Sequence, residues 1–159
     1  WKIKIKKTKI RSGEQLGTIT VSASSLKGIT IPANLSPYLI DEYPILSIAA
    51  SQAKGTTYMK GLDELRHKES DRIRSIVRML KSFGIKTETR KNDIKIYGSP
   101  SKEVNCIETV KVYSDHRIAL SASILGIISN NPVKLDDRGK SMNTSYPNFK
   151  NDLKKIIIN

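Results

Sequence analysis

Apolar and polar residues alternate one for one through Trp1-Lys2-Ile3-Lys4-Ile5-Lys6, and a period of two predicts a half-buried strand. Arg11-Ser12-Gly13-Glu14 reads as the turn after it, and Gly17 to Val21 as a second strand. Gly28 to Ile31 predicts a short strand, stopped by Pro32. Ser36-Pro37 and Pro44 bracket a predicted loop. A buried helix then runs from about Tyr43 to Gln52, carrying Ile45, Leu46, Ile48, Ala49 and Ala50. Thr56 to Met59 reads as a strand. A charged stretch follows and opens a helix to Phe83, in which Ile73, Ile76, Val77 and Leu80 share one face and Gly84 is placed to cap the end. Ile85 to Arg90 and Ile94 to Tyr97 predict a hairpin across Lys91-Asn92-Asp93. Val110 to Tyr113 reads as a strand leading into a helix that Pro132 blocks beyond Ser129-Asn130-Asn131. Val133 to Leu135 reads as a last strand, and Tyr146-Pro147-Asn148-Phe149 introduces a last helix.

The pattern repeats. Asp41-Glu42-Tyr43-Pro44, Ser70-Asp71-Arg72-Ile73 and Ser114-Asp115-His116-Arg117-Ile118 each open a helix after a loop carrying acids, and each helix leads to a strand. The latter two starts lie about 45 residues apart, the length of a unit of strands plus helix. The expectation is an α/β fold built from repeats, with its charged helix starts gathered at one end.

Composition adds bounds. The 159 residues, 38% hydrophobic and 27% charged, suffice for one ordinary domain or two small subdomains. No apolar run reaches the length of a membrane span, and the start has no apolar signal-peptide core. The chain begins without Met, which predicts a fragment or a processed form. Cys106 stands alone, so neither an internal disulfide nor a Cys-based metal cluster is available; an inert thiol in a reducing cytoplasm is expected. The net charge of +13 raises nucleic-acid binding as a reading. Against it, the lysines are spread along the whole chain and aromatic residues make up only 6%, too few for a stacking platform. Small polyanions fit the charge better.

The charged helix starts carry the chemistry. Leu65-Arg66-His67-Lys68-Glu69-Ser70-Asp71-Arg72-Ile73 places Lys68 and Glu69 just before a helix, Ser70 near its N-cap and Arg72 in its first turn. The helix dipole disfavours cations there, so an anionic ligand is the simplest reason for them. Arg72 can grip a carboxylate or phosphate bidentately, and Glu69 beside it can move a proton. The bland alternative is a capping box with solvated charges. Asp115-His116-Arg117 combines an orienting acid, a titratable imidazole and an anion clamp. His67 is expected to point away. For Asp41-Glu42 the dipole alone is an adequate explanation.

Leu65-Arg66-x-Lys68-Glu69-Ser70-Asp71-Arg72 closely resembles the signature of the 5-enolpyruvylshikimate-3-phosphate synthases. Asp115-His116-Arg117-Ile118-Ala119-x-Ser121-Ala122 resembles a second signature of that family, Ile40-Asp41-Glu42-Tyr43-Pro44 a third region, and Thr144-Ser145-Tyr146-Pro147-Asn148-Phe149 its C-terminal motif. The resemblance implies two similar domains of repeated βαβαββ units, an inside-out α/β barrel, with the active site between them. Residues 1–159 then correspond to most of the C-terminal domain, and the N-terminal domain of the same enzyme is the partner. The implied reaction moves the enolpyruvyl group of phosphoenolpyruvate to the 5-hydroxyl of shikimate 3-phosphate, in the shikimate pathway to aromatic amino acids. It implies no metal or organic cofactor, no nucleic acid and no membrane. By position, Asp41, Glu69 and His116 are implied as catalytic, and Lys68, Arg72 and Arg117 as substrate-binding. Where some members carry a phosphoenolpyruvate-binding lysine this chain has Thr144, and Lys140 is the expected substitute, reaching in from a loop. The sister transferase acting on UDP-N-acetylglucosamine is a weaker match, because Lys68-Glu69-Ser70-Asp71-Arg72 speaks against it.

Overall fold

A computed structural model describes residues 2–100 and 103–157. Strands β1 (Lys2–Arg11) and β2 (Glu14–Ser22) form an antiparallel ribbon closed through Ser12 and Gly13, both at positive φ. Both predicted strands are present and longer than their patterns, but the half-burial expected of the first is a correction, since residues 3–6 and 9–11 and all of β2 are exposed; Trp1 lies outside the described residues.

Residues 27–98 fold as one βαβαββ unit. It runs β3 (Thr30–Ile31), α2 (Tyr43–Ser51), β4 (Gly55–Met59), α3 (Arg72–Lys81), β5 (Thr87–Arg90) and β6 (Asp93–Gly98). The sheet order is β3-β4-β6-β5, with β3 and β4 parallel and the other pairs antiparallel. Alternation decides the sheet's faces. Thr57, Met59, Ile94 and Ile96 are buried, while Tyr58, Lys95 and Tyr97 between them stay partly open, with the Lys95 amine 4.8 Å from the Tyr97 ring centroid. The β5–β6 turn is tighter than predicted, with only Lys91 and Asn92 between the strands and Lys91 at φ +52°. The predicted loop before α2 is a correction: the short helix α1 (Ser36–Leu39), preceded by a 3₁₀ turn over Ala33–Leu35, occupies its first part. Pro37 sits in the first turn of α1, where its missing N–H costs nothing.

In α3 the predicted stripe holds: Ile73, Ile76 and Leu80 are buried, joined by Met79, while Arg74 and Arg78 face out. Gly84, at φ +67°, follows the helix end, and Ile85 N–H donates to the Leu80 carbonyl at 3.0 Å.

The third run keeps a strand–helix–strand–helix order in weaker form. Val110 to Tyr113 and Val133 to Leu135 were expected as strands; the structure has parallel bridges only, Val104 with Ser129 and Val110 with Leu135. The reason lies beyond the bridge: Val112 N–H turns to the Asp136 carboxylate and not to a backbone carbonyl, and Tyr113 and Ser114 adopt positive φ. Between the bridges runs α4 (His116–Ile127), apolar nearly all round and therefore central, packed against α2 and α3. After it come α5 (Lys140–Ser145), which the sequence pattern had not signalled, and α6 (Phe149–Ile157), which it had. One core of Tyr43, Met59, Leu65, Ile76, Ile118 and Leu125, among others, joins both runs.

One of the tight backbone approaches is at Gly98. A Cβ there would lie 2.2 Å from the Ala53 carbonyl oxygen and 2.3 Å from that of Ala50. Gly98→Ala is therefore expected to cost about 1–3 kcal/mol, read as a lower urea midpoint at unchanged slope.

Candidate functional site

Three helix starts meet at one end of the molecule, and their side chains form one network around Arg72. This guanidinium has no solvent exposure. Its Nε donates to Asp115 Oδ2 at 2.9 Å, its Nη1 to Asp41 Oδ1 at 2.7 Å, and its Nη2 to Glu69 Oε2. Burial works against the charge of Arg72; the hydrogen bonds to Asp115 and Asp41 outweigh it, and the pKa is raised. Asp71, and not the predicted Ser70, caps α3, accepting from Arg74 N–H at 3.1 Å. Ser70 instead donates to Asp115 Oδ2 at 3.0 Å. The charged stretch itself begins with a 3₁₀ turn over Asp63–His67, so Lys68, in extended conformation, and Glu69, in a bend, lie between two helical segments. Arg66 anchors that turn through Asp71, Asn92 and the Lys91 carbonyl.

Asp115, completely buried, is the second centre. Its Oδ2 receives Arg72 and Ser70, and its Oδ1 caps α4 by accepting the N–H groups of Arg117 at 3.0 Å and Ile118 at 3.4 Å. As an orienting acid it thus acts on Arg72 and the helix start. It is presented by a two-residue turn in which Tyr113 and Ser114 both have φ near +55°, closed by Asp115 N–H to the Val112 carbonyl at 2.9 Å. Arg78 holds the Tyr113 hydroxyl from α3 at 2.8 Å.

The solvent side of the network is a separate layer. Arg117 Nη2 donates to Asp41 Oδ2 at 3.2 Å and its Nη1 to the Asp41 carbonyl at 3.1 Å, with Glu42 3.7 Å away. Asp41 and Glu69 keep 42% and 48% of their side-chain surface. Lys68 is exposed and close enough to lower the Asp41 pKa. His116, first residue of α4, is partly buried beside Arg117. The hydrogen bond from Arg72 is the main reason the Asp41 carboxyl sits below 3.8; partial burial opposes it, and Arg117 and Lys68 add to it. The arrangement can hold anions at Arg117 and Lys68 and move protons at Asp41, Glu69 and His116.

Lys140 is a correction of setting. It is the first residue of α5 and not part of a loop; Asp137 shapes that start by accepting the N–H groups of Gly139 and Ser141, each at 2.7 Å. Among the described residues no side-chain hydrogen bond or ion pair joins Lys140 to the network. Cys106 lies away from the site in the predicted loop, its thiol 3.3 Å from the Glu108 carbonyl. Among the described residues no group of three or more His, Cys, Asp or Glu is placed to hold a metal ion, and no helix is long and apolar enough to cross a membrane. A cavity of about 640 Å³ lies by the C-terminal half of α4 and not at this network.

The family model for EPSP synthase (3-phosphoshikimate 1-carboxyvinyltransferase) matches residues 4–153. The chain belongs to the EPSP synthase family. The 3-phosphoshikimate 1-carboxyvinyltransferase of Petrotoga mobilis is 44% identical over 154 residues, 97% of this chain and 35% of its own length. That of a Chelativorans species is 44% identical over 137 residues, 86% of this chain and 30% of its own. The solved EPSP synthase of Acinetobacter baumannii superposes with a TM-score of 0.84 at 32% identity, over 97% of this chain and 36% of that one. The chain thus spans about 35% of the length of such EPSP synthases, and its α/β architecture is a part of their fold.

Two measurements test the network. Asp41 is expected to titrate below 3.8 by carboxyl NMR, and Arg117→Met to raise its midpoint. Because its folded pKa is depressed, Asp41 contributes stability above the unfolded value, and this is lost as pH falls through the folded one. Asp115→Ala removes one of the three carboxylates on buried Arg72 and uncaps α4, so a loss of about 2–5 kcal/mol in chemical unfolding is expected. Asp115→Asn, which keeps a capping oxygen, is expected to lose less.

Proposed function

We propose that the chain supplies one wall of the active site of a 3-phosphoshikimate 1-carboxyvinyltransferase. This enzyme moves the enolpyruvyl group of phosphoenolpyruvate to the 5-hydroxyl of shikimate 3-phosphate and releases phosphate. The supporting observation is the convergence of Asp41, Glu69 and Arg117 on one exposed layer held from beneath by buried Arg72 and Asp115.

In this reading Asp41, kept ionised by Arg72, accepts the hydrogen of the substrate 5-hydroxyl as that oxygen attacks C2 of phosphoenolpyruvate. Glu69 in its acid form gives a proton to the methylene carbon, which becomes a methyl group, and a tetrahedral intermediate results. Glu69 then takes a proton back from that methyl group as the C–O bond to phosphate breaks; the proton held by Asp41 leaves with the phosphate. Arg117 and Lys68 bind the phosphate and carboxylate groups, with His116 assisting. Arg72 joins them by exchanging one of its carboxylates for the ligand's, and Glu69, the more exposed of the three, is the one that yields. Lys140 supplies the phosphoenolpyruvate contact in place of Thr144, delivered by α5, which packs on α4. Residues 1–159 form most of the C-terminal domain, the N-terminal domain supplies the facing wall, and the setting is cytoplasmic.

The test is phosphate release from phosphoenolpyruvate and shikimate 3-phosphate by this chain combined with the N-terminal part of its enzyme. Release requiring both parts is expected. Glu69→Gln is expected to lower turnover by about 10²-fold or more with the far-UV spectrum unchanged. Turnover indifferent to that change overturns the proton-transfer role.

A further inference from the structure

Glu69 stands on a stretch of chain that the core does not hold. Leu62 and Leu65 before it and Arg72 after it are fully buried, whereas residues 66–69 are exposed. In the structure Arg72 holds the Glu69 carboxylate. The proposed reaction asks Glu69 to leave Arg72 and to meet one carbon atom twice, first giving it a proton and then taking one back. Once that ion pair is gone, the backbone of this stretch has to keep the carboxylate in line with the carbon.

That backbone is fastened by the turn between β5 and β6. Ahead of the 3₁₀ turn, Gly61 N–H donates to Asp93 Oδ1 at 2.9 Å and Leu62 N–H to the Asn92 carbonyl at 2.8 Å. Where the exposed part begins, Arg66 donates to three acceptors: Nε to Asn92 Oδ1 at 2.9 Å, Nη2 to the Lys91 carbonyl at 2.7 Å, and Nη1 to Asp71 Oδ2 at 3.0 Å. Asp71 uses its other oxygen to cap α3. Arg66 and Asp71 thus close residues 66–71 into a loop, and Asn92 orients the guanidinium that closes it. Arg66 and Asp71 keep 37% and 36% of their side-chain surface, and a pair so open adds little to stability. The fold has little to lose with this bridge; the placing of Glu69, three residues beyond Arg66, depends on it.

We propose that Asn92 is a positioning residue for Glu69: its side-chain oxygen fixes Arg66, and Arg66 closes the loop that presents Glu69 to the substrate. This role rests on the proton transfers proposed for Glu69, and the anchor itself is read without them.

Asn92→Ala removes the acceptor and leaves the Asn92 carbonyl, with its bond from Leu62, in place. In the enzyme assembled from this chain and its N-terminal part, it is expected to lower kcat for phosphate release about tenfold. KM for phosphoenolpyruvate is expected to change by no more than about threefold, and the urea midpoint to stay put. Asn92→Asp keeps an oxygen for Arg66 Nε and is expected to restore most of kcat. Arg66→Lys, which keeps the charge but not the fork, is expected to behave like Asn92→Ala. Amide hydrogen exchange without substrates is expected to quicken at residues 66–70 in Asn92→Ala and to stay unchanged in α4. Unchanged exchange at residues 66–70 overturns the anchor, whatever the turnover. Faster exchange with kcat intact, or a loss of kcat that Asn92→Asp does not restore, overturns the role for Glu69. Turnover indifferent to Glu69→Gln is a different failure, that of the proton-transfer reading.

Discussion

Arg72 fixes the rest of the site. A guanidinium with no exposed surface is stable only where its donors meet acceptors in place, and here the acceptors come from three separate stretches of chain. Asp41 precedes α2, Glu69 precedes α3, and Asp115 precedes α4. Each carboxylate also has work of its own: Asp115 caps α4, and Asp41 binds Arg117. Removing the charge of Arg72 would leave three acids close together with too little compensation. One buried cation thereby sets the mutual positions of three helix starts, and the sheet beneath them need only bring those helices within reach.

This division between a buried and an exposed layer explains how so much charge can serve chemistry. Groups that hold position are enclosed, so their geometry does not depend on solvent or salt. Asp41, Glu69, Lys68 and Arg117 keep part of their side chains open to solvent. A single layer of surface ion pairs would be worth little and would be screened. A purely buried cluster would be fixed but unreachable.

Much of this was legible in the residues, and the limits follow from which forces act locally. Alternation at Ile94-Lys95-Ile96 and the stripe through Ile73, Ile76 and Leu80 reveal the unit because burial acts on one face of each element. Three of the four motifs located the residues that meet at Arg72: Asp41, Glu69 and Asp115. What they did not show was depth. Arg72 read as an anion clamp and proved enclosed, because nothing in Ser70-Asp71-Arg72 records that Asp115 lies 43 positions on and pairs with it. Ser70 lost the cap to Asp71 for the same reason: its hydroxyl is claimed from outside the helix. The short helix α5 escaped since its six residues carry no apolar period, and Asp137 organises its start from outside. Val110 and Leu135 have strand composition, but turns at both flanks cut their pairing to bridges.

The turn before α4 shows how local strain serves the network. Left-handed conformations at Tyr113 and Ser114 cost about 1–2 kcal/mol per residue without glycine. An ordinary turn would send the chain on in a different direction and carry the Asp115 carboxylate away from Arg72. The cost is met nearby: Val112 N–H is held by Asp136, Asp115 N–H returns to Val112, and Arg78 takes the Tyr113 hydroxyl. Arg78 lies on α3, the helix that also carries Arg72, so one helix secures both the strained turn and the residue that the turn addresses. Strain and charge network thus constrain each other: neither conformation is favourable alone, and together they leave Asp115 a single place to stand.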